Sequence, residues 1–338
     1  MKYVELGRTG LKCAVVSFGG IPIQRSDAAN TAAVVDALEK YGMNYIDTAR
    51  GYTVSEEYLG AALEGRRDKF YLATKSMVRD YEGMKKEVET SLKNLRTDHI
   101  DVYQLHNLPL GDFEKVFGPD GACRALEEAK AQGKVGHIGA TFHSLDALKK
   151  AVEDYADNID TVMFPYNIVE NQGEEILRLA REKGIGTIAM KPMAGGNLDN
   201  WTLALKYIDA AGVMDISIPG MGDVTEVERN AAAVEAFGPL TEEEKAECAA
   251  IRERLGTRFC RRCGYCGPCT VGINIPSAFL FNNYKLHYEG LADWATARYG
   301  AMAHTASECI ECGLCESRCP YQLPIRDMLK EVARTFGK

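Results

Sequence analysis

The segment Asn44-Tyr-Ile-Asp-Thr-Ala-Arg-Gly-Tyr52 predicts a short buried strand that ends in a carboxylate and leads into a loop carrying a phenol. The next two candidate strands also end in polar side chains, those of Lys75 and His106. A closed barrel of eight β/α units gathers the carboxyl ends of its parallel strands on one face. The sequence therefore predicts a single candidate site made of four side chains, Asp47, Tyr52, Lys75 and His106.

Strand-like and helix-like segments alternate along the first 237 residues. The strands are predicted at 14–18, 44–48, 70–74, 100–105, 135–140, 161–164, 187–190 and 215–218. Their spacing of about 30 residues is that of a βαβ unit, and a short hairpin over 3–11 precedes them. Strict alternation favours an α/β protein with a parallel sheet, and eight units favour a (β/α)₈ TIM barrel. A doubly wound sheet is the alternative, but no Gly-x-Gly-x-x-Gly pattern follows the first strand.

The composition limits the classes of protein to consider. The 338 residues carry a formal charge of −8, and 46% of them are hydrophobic, which indicates a folded chain with a substantial core. An acidic chain does not favour binding to nucleic acid or to an anionic membrane. An apolar leader is missing after Met1, and no run of about 18 apolar residues follows, so we expect a cytoplasmic protein without a membrane partner.

Eleven cysteines are present, and eight of them lie in two short runs near the C-terminus. The first run is Cys260-Arg-Arg-Cys263-Gly-Tyr-Cys266-Gly-Pro-Cys269, and the second is Cys309-Ile-Glu-Cys312-Gly-Leu-Cys315-Glu-Ser-Arg-Cys319-Pro320. In an oxidising compartment such thiols suggest disulfides, whereas metal ligation is the better interpretation without a secretory signal.

The second run has the spacing of the bacterial ferredoxin run that binds a [4Fe–4S] cluster. The first run has the same three leading cysteines but reaches its fourth after only two residues. Because the fourth cysteine of such a run ligates the other cluster in two-cluster ferredoxins, we predict two [4Fe–4S] clusters with exchanged fourth ligands. One set is Cys260, Cys263, Cys266 and Cys319, and the other is Cys309, Cys312, Cys315 and Cys269. Zinc is the alternative, although zinc sites usually use two separated cysteine pairs.

These signals predict three parts of the chain. A barrel occupies 1–237, a linker helix 238–256, and a mainly helical ferredoxin-like domain 257–338. A weak internal duplication marks the last part, because an Ile/Leu-and-Pro segment follows each cysteine run, at 273–276 and at 323–325.

The four polar strand ends suit the reduction of a carbonyl by hydride. Such a reduction needs a proton donor, and a phenol with a pKa of about 10 is poorly matched to neutral pH. A neighbouring ammonium favours the phenolate, so we expect Lys75 to lower the pKa of Tyr52. Asp47 can hold Lys75 through a charge-assisted hydrogen bond, and His106 can orient the substrate oxygen. Each residue alone has an ordinary structural explanation, whereas four at the ends of consecutive strands indicate a site.

Several motifs in residues 1 to about 235 resemble the aldo-keto reductases. They are Asp47-Thr-Ala with Tyr52, Ser55-Glu-Glu, Leu59-Gly60, Lys75, His106 and the opening Leu6-Gly-Arg-Thr-Gly-Leu-Lys12. With its cysteine runs, the chain resembles the iron–sulfur branch of that superfamily. The resemblance implies a (β/α)₈ barrel, a nicotinamide cofactor laid across the strand ends, and carbonyl–alcohol interconversion with Tyr52 as the proton donor.

The cofactor half of the site matches that family less well. The resemblance places cofactor contacts at Gly20, Ile21, Thr141, Met190, Lys191, Gly220, Glu226 and Asn230. Family members usually carry a Gln where this chain has Met163, which cannot replace it, and a Tyr where it has Met190. Members that prefer NADP carry basic residues where Gly220 and Glu226 stand. A carboxylate there repels the 2′-phosphate, which favours NAD(H) over NADP(H), unless Arg229 binds the phosphate instead.

Three interpretations combine the barrel with the clusters. In the first, the barrel is a nicotinamide-dependent carbonyl reductase or alcohol dehydrogenase for a small molecule, and the clusters exchange electrons with an external ferredoxin or flavodoxin. In the second, the clusters are structural supports of a domain too small to fold alone. In the third, the barrel no longer uses nicotinamide, and the protein transfers electrons. The four polar strand ends favour the enzyme.

Overall fold

The computed structural model describes residues 1–256, 258–262, 264–288 and 290–338. The chain begins with two short antiparallel strands, β1 (Tyr3–Glu5) and β2 (Lys12–Ala14). The predicted hairpin over 3–11 is therefore present and is longer than predicted. Because 12–14 pair with β1, the predicted first barrel strand over 14–18 reaches the large sheet only from Val16 onward.

Within the described residues, eight parallel strands form one sheet in sequence order. They are β3 (Phe18–Gly19), β4 (Tyr45–Asp47), β5 (Tyr71–Ser76), β6 (Ile100–Leu105), β7 (Val135–Thr141), β8 (Thr161–Pro165), β9 (Gly186–Met190) and β10 (Ile216–Ser217). Parallel bridges from Val16 to Ser217 and from Gly19 to Gly220 join the two ends of this sheet. The (β/α)₈ barrel predicted from the sequence is confirmed.

Helices follow the strands in the order that the alternation predicts. They are α1 (Ala28–Tyr41), α2 (Ser55–Ala62), α3 (Tyr81–Asn94), α4 (Phe113–Val116), α5 (Ala122–Ala131), α6 (Leu145–Asp154), α7 (Glu174–Glu182), α8 (Trp201–Ala211) and α9 (Val224–Ala233). α1 begins after Asp27, whose carboxylate accepts a hydrogen bond from the backbone N–H of Asn30, and it ends at Gly42 with φ 72°. In the described part of the chain, no helix has the length and apolar character needed to cross a membrane.

The interior of the barrel contains a buried apolar cluster. Alternate residues of the strands point inward, as the two-residue period of a strand requires. The buried cluster that they form contains Tyr45, Ala73, Val102, Met163, Ile188 and Ile216, with Leu6 and Cys13 from the N-terminal hairpin region. The polar residues nearer the carboxyl ends of β4, β5 and β6 therefore lie next to this apolar cluster.

Contacts divide the chain into two compact units. The first contains the barrel, over Met1–Asn167, Asn171–Pro192 and Asn200–Leu240. The second contains Ile168–Glu170, Met193–Asp199 and Thr241–Lys338. Its helices are α10 (Glu242–Gly256), α11 (Ile275–His287), α12 (Ala292–Gly300), α13 (Leu314–Ser317) and α14 (Ile325–Phe336).

The second unit has its own core, in which α11 packs against α12 and α14. Buried members of this core include Ile273, Phe279, Tyr299, Leu329 and Val332. Each cysteine run leads directly into one of the packed helices: the first run into α11, and the second, beyond α13, into α14. The structure of this unit is helical, as predicted, and it repeats the run-then-helix order seen in the sequence.

Candidate active site and cysteine cavities

The barrel places the four predicted catalytic side chains close together. Asp47 is the last residue of β4, Lys75 lies near the end of β5, and His106 follows β6 directly. Tyr52 lies in the loop between β4 and α2. Because the strands are parallel neighbours, these positions fall at one end of the barrel.

Asp47 and Lys75 form a buried ion pair. Lys75 Nζ lies 2.5 Å from Asp47 Oδ2 and also donates to the carbonyl oxygen of Thr48 at 2.7 Å. Only 3% of Asp47 and 2% of Lys75 are exposed. Burial lowers the pKa of Lys75 because an ammonium loses its hydration, and the Asp47 carboxylate opposes that shift. Burial likewise raises the pKa of Asp47, against the opposing effect of Lys75.

Tyr52 lies directly beside this pair. Lys75 Nζ is 5.0 Å from the centre of the Tyr52 ring, and the His106 ring meets that ring edge-on with centroids 6.1 Å apart. Tyr52 and His106 are both half-buried, whereas the ion pair lies deeper. The phenol and the imidazole are therefore the members of the site with access to solvent, where a substrate can reach them.

The environment of His106 keeps its ring neutral. Burial and the positive charges of Lys75 and Arg79 lower the pKa of His106 to about 3. Its backbone is fixed by a hydrogen bond from its N–H to the carbonyl oxygen of Ser76 at 2.9 Å and by one from Arg79 to its own carbonyl at 2.8 Å. A neutral imidazole can donate a hydrogen bond from its ring N–H to a substrate oxygen. It does not act as an acid that transfers this proton near pH 7.

A fifth residue of this site, Gln104, was not among the predicted ones. Its Nε2 donates to Asp47 Oδ1 at 2.9 Å, and its side chain is completely buried. It lies on β6, opposite Lys75 on β5. One sequence feature could have indicated Gln104. It is an amide within an otherwise mostly apolar run that ends at Leu105, and it lies two residues before His106.

A second buried carboxylate, Glu56 on α2, fixes the loop that carries Tyr52. It accepts hydrogen bonds from Thr74 at 2.7 Å and from Ser91 at 2.8 Å, and it pairs with Arg50 at 2.8 Å. The backbone N–H of Arg50 in turn donates to the carbonyl oxygen of Lys75 at 3.0 Å. The loop after β4 is therefore held to the strand that carries Lys75.

Three predicted cofactor positions lie where the ends of the sheet meet. The N–H of Gly20 donates to the carbonyl oxygen of Asp47 at 2.7 Å, and a Cβ at Gly20 would lie 2.7 Å from that same oxygen. Gly220 is joined to the neighbouring Gly19 by the bridge that closes the sheet. Ile21 begins a short 3₁₀ helix, Ile21–Arg25, directly after Gly20 and is half-buried. A residue with a side chain in place of Gly20 would therefore clash with the backbone at the end of β4.

The predicted cofactor positions around α9 differ in how well they are satisfied. Glu226 accepts a hydrogen bond from the N–H of Gly222 at 2.6 Å, which fixes its carboxylate beside Asp223, the N-cap residue of α9. Arg229 lies 3.8 Å from Glu226, and its guanidinium lies over the ring of Trp201. Asn230 is completely buried, and both polar atoms of its amide have no hydrogen-bond partner among the described residues. Such an unsatisfied amide requires an explanation.

The remaining cofactor positions lie at the ends of β7, β8 and β9. Thr141 is buried, and its hydroxyl accepts a hydrogen bond from the N–H of Asn107 at 2.7 Å. Met163 is part of the buried barrel cluster, and Met190 packs against that cluster. Lys191 has a φ of 57°, and its carbonyl oxygen accepts a hydrogen bond from the Asn167 amide at 3.0 Å.

The cysteines of the second unit surround two cavities. The first, of about 350 Å³, is lined by four thiols together with apolar residues; the thiols are Cys269, Cys309, Cys312 and Cys315. The second, of about 310 Å³, is lined by Cys260, Cys266 and Cys319. Cys263 lies outside the described residues. Each cavity thus combines cysteines of both runs, with all four members of one predicted set at the first cavity and three members of the other set at the second.

The cavity thiols are free of disulfide bonds and differ in exposure. Cys266 and Cys315 are buried, whereas Cys312 is exposed. Hydrogen bonds, first of all one with Thr270 at 3.4 Å, lower the pKa of Cys312. The backbone N–H of Arg262 donates to Cys260 Sγ at 3.4 Å. Within the described part of the chain, no three ligating side chains converge as closely as a single metal ion requires.

Comparison with known protein families gives two matches. The model of the aldo/keto reductase family matches residues 15–203. The model of a 4Fe-4S dicluster domain matches residues 259–324. The first match covers the strands that carry the four candidate catalytic residues, and the second covers both cysteine runs.

Individual relatives agree with the first match. Over 300 residues the chain is 27% identical to an L-galactose dehydrogenase from Arabidopsis thaliana, covering 73% of this chain and 93% of the relative. Over 240 residues it is 29% identical to an NADH-specific methylglyoxal reductase from Escherichia coli, covering 62% of this chain and 72% of the relative. An aldo-keto reductase from Bacillus halodurans, solved in its holo form, superposes with a TM-score of 0.64 and 28% identity, covering 74% of this chain and 96% of that structure.

Proposed function

Because the chain belongs to the aldo/keto reductase family and carries a C-terminal 4Fe-4S dicluster domain, we propose that it interconverts a small carbonyl compound and its alcohol by nicotinamide hydride transfer. The observation that carries this proposal is the buried ion pair between Asp47 and Lys75, with Lys75 Nζ 5.0 Å from the centre of the Tyr52 ring. In this arrangement the Lys75 ammonium can assist proton transfer from the Tyr52 phenol. An ion pair with a purely structural role does not need a phenol beside it.

In carbonyl reduction, Tyr52 supplies the proton to the substrate oxygen. The Lys75 ammonium stabilises the phenolate left behind, since a positive charge nearby favours the ionised phenol. Asp47 keeps Lys75 in place and charged, and neutral His106 orients the substrate oxygen by a hydrogen bond. In alcohol oxidation the same groups act in reverse, with the Tyr52 phenolate as the base.

The residues around the strand ends suit a nicotinamide dinucleotide, which carries the hydride when bound. The buried, unsatisfied amide of Asn230 offers a donor and an acceptor that the described chain leaves unused. The contacts that we propose are Gly20, Ile21, Thr141, Met190, Lys191, Gly220, Glu226 and Asn230. The Glu226 carboxylate disfavours a 2′-phosphate, so we propose NAD(H) over NADP(H), in keeping with the NADH-specific relative.

The two cysteine cavities suit iron–sulfur clusters. Thiolates are the ligands of such clusters, and each cavity is lined by at least three cysteine side chains set among apolar side chains. We propose that Cys269, Cys309, Cys312 and Cys315 hold one [4Fe–4S] cluster, and that Cys260, Cys263, Cys266 and Cys319 hold the other. Such clusters transfer single electrons, which makes a ferredoxin or flavodoxin a suitable external partner. We also propose that the chain consists of a barrel over 1–237, a linker helix over 238–256 and a ferredoxin-like domain over 257–338. We propose a cytoplasmic location for the protein.

The proton-donor role is tested by comparing wild type with Tyr52→Phe on a panel of small aldehydes and ketones. NADH and NADPH are each supplied under anaerobic conditions. We expect turnover by wild type and its loss in Tyr52→Phe, whereas Tyr41→Phe, which removes a surface phenol on α1, keeps it. Unchanged turnover in Tyr52→Phe would contradict the assignment.

A second candidate function, electron transfer without nicotinamide, is favoured by one observation. Met163, which stands where family members usually have a Gln, is sunk in the barrel core and offers no hydrogen bond to a carboxamide. An anaerobic titration of cluster-replete protein with NADH separates the two functions. Bleaching of the visible iron–sulfur absorbance supports the enzyme with coupled clusters, while an unchanged spectrum together with no NADH binding supports the second function.

A further inference from the structure

Gln104 provides the second half of the support of Asp47. The Asp47 carboxylate accepts one hydrogen bond at each oxygen, at Oδ2 from Lys75 and at Oδ1 from Gln104. Both donors come from neighbouring strands, β5 and β6, and lie opposite each other in the sheet. The carboxylate is therefore fixed from two sides, which leaves one orientation in which it can hold Lys75.

The chain makes room for this amide at Gly139. Gly139 on β7 lies opposite Gln104 on one side and Thr161 on the other. A Cβ at Gly139 would lie 2.9 Å from Cγ of Gln104 and nearer still to Oγ1 of Thr161, closer than real Cβ atoms approach. The absence of a side chain on β7 therefore lets the Gln104 side chain extend inside the barrel toward Asp47.

The orientation of the Gln104 amide leaves a polar atom unsatisfied. Its Oε1 is buried and has no hydrogen-bond partner among the described residues. A buried carbonyl oxygen without a partner destabilises a fold. The same amide directs its Nε2–H group at the Asp47 carboxylate. The favourable contact of the Gln104 side chain is therefore this donated hydrogen bond.

Other titratable groups also face the pair of Asp47 and Lys75. Tyr45 faces Asp47 from its own strand, Tyr52 and Glu56 face Lys75 from the loop after β4 and from α2, and His106 faces Lys75 from the end of β6. Of these, Glu56 favours the charged form of Lys75. Gln104 is uncharged, so it affects the pair through its hydrogen bond alone.

We propose that Gln104 is a positioning residue of the active site, which keeps the Asp47 carboxylate ionised and aligned on Lys75 through the bond from Nε2 to Oδ1. Its place in catalysis rests on the function proposed above. Without this donor, the Asp47 carboxylate takes up a proton more readily, and the Lys75 ammonium loses its partner. The Tyr52 phenolate is then less well stabilised, and proton transfer slows.

The test follows the Asp47 carboxyl group directly, so that it does not depend on turnover. Protein labelled with ¹³C in the aspartate carboxyl group is titrated by NMR, and the Asp47 resonance is identified by its loss in Asp47→Asn. In Gln104→Leu we expect the midpoint to move up by about one pH unit or more, since a hydrogen bond to a charged group is lost. We expect kcat to fall about tenfold while KM for the carbonyl stays within about twofold.

Two further variants make the result specific. Gly139→Ala displaces both Gln104 and Thr161 without removing a polar group, and we expect it to shift the midpoint in the same direction. Thr161→Val alters a buried hydroxyl on the other side of Gly139 and keeps the wild-type midpoint and pH profile. An Asp47 midpoint that is the same in wild type, Gln104→Leu and Gly139→Ala overturns the inference, whatever the turnover. A shifted midpoint in a protein whose wild type reduces no carbonyl compound overturns the proposed function instead.

Discussion

Lys75 Nζ lies 2.5 Å from Asp47 Oδ2, and both residues are almost completely buried at the ends of neighbouring strands. Removing two charges from water costs several kcal/mol, which the attraction within the pair only offsets when the geometry is good. Stability alone therefore does not explain such a pair, because apolar residues of similar size stabilise a fold equally well at buried positions. Its position beside the Tyr52 ring gives a functional reason.

Breaking this pair on one side should cost both stability and activity. In Lys75→Met the Asp47 carboxylate is left buried without its cation, which destabilises the protein by about 3 kcal/mol. Carbonyl reduction should fall by about 10²-fold or more, because the phenolate loses its stabilising charge. Urea unfolding is followed by Trp201 fluorescence in a Trp294→Phe background, so that the barrel alone is reported, and kcat is measured with NADH.

The double variant Asp47→Asn with Lys75→Met separates the two effects. It removes the unpaired charge, so we expect most of the lost stability to return while activity stays absent. A double variant that recovers neither property would show that Asp47 has a structural role beyond holding Lys75. A Lys75→Met protein with wild-type turnover would exclude the proposed use of the ammonium.

His106 should make the folded state sensitive to mild acid. Its pKa is lowered to about 3 in the fold, whereas an unfolded histidine titrates near pH 6.5. Between these values the unfolded chain binds a proton that the folded chain does not, so stability is lost as the pH falls from about 6.5 toward 3. From about pH 7.5 to about 5.5 this contribution amounts to about 1 kcal/mol.

The measurement compares urea unfolding of wild type and His106→Asn at these two pH values. We expect the loss of stability on acidification to be smaller in His106→Asn by about 1 kcal/mol. His99→Asn is the control, because that ring lies about two-fifths exposed on the surface. An equal acid sensitivity in wild type and His106→Asn would mean that the fold does not lower the pKa of the imidazole, and that its environment does not keep the ring neutral in mild acid.

The barrel and the ends of its strands were predictable because both depend on local patterns. The segment 100–105 was predicted as a strand and coincides with β6, since an apolar run there is followed by a polar stop at His106. Alternation with helices then places consecutive strand ends side by side. The first strand was misplaced because its first residue pairs with the N-terminal hairpin instead of the barrel, and the local sequence does not distinguish these two partners.

Gln104 and Glu226 show what local patterns do not contain. Gln104 reaches Asp47 only because β6 is in register with β5 and because Gly139 leaves space beside it. Glu226 stands where the resemblance places the phosphate contact, but the hydrogen bond that fixes its carboxylate comes from the backbone N–H of Gly222. Both contacts depend on three-dimensional register or on main-chain atoms, which side-chain patterns do not specify.

Glu226 should decide between the two nicotinamide cofactors. Glu226→Gln keeps an acceptor for the N–H of Gly222 but removes the charge, so we expect the ratio of kcat/KM for NADPH to that for NADH to rise about tenfold. Burial raises the pKa of Glu226, so the ratio is compared over a range of pH. Glu228→Gln, on the same helix, is the control. An unchanged ratio in Glu226→Gln would remove this residue from cofactor selection.

The pairing of the two cysteine runs can be decided by combining substitutions. Cys269 and Cys312 line one cavity, and Cys319 lines the other. We therefore expect Cys269→Ala with Cys312→Ala to lose one cluster only, leaving about four of eight iron atoms per chain, whereas Cys269→Ala with Cys319→Ala loses or converts both. Iron analysis and electron paramagnetic resonance distinguish a lost cluster from one converted to a three-iron form. Cys248→Ala, which removes a buried thiol on α10 outside both cavities, keeps both clusters. If each run instead held its own cluster, the first pair of substitutions would remove both.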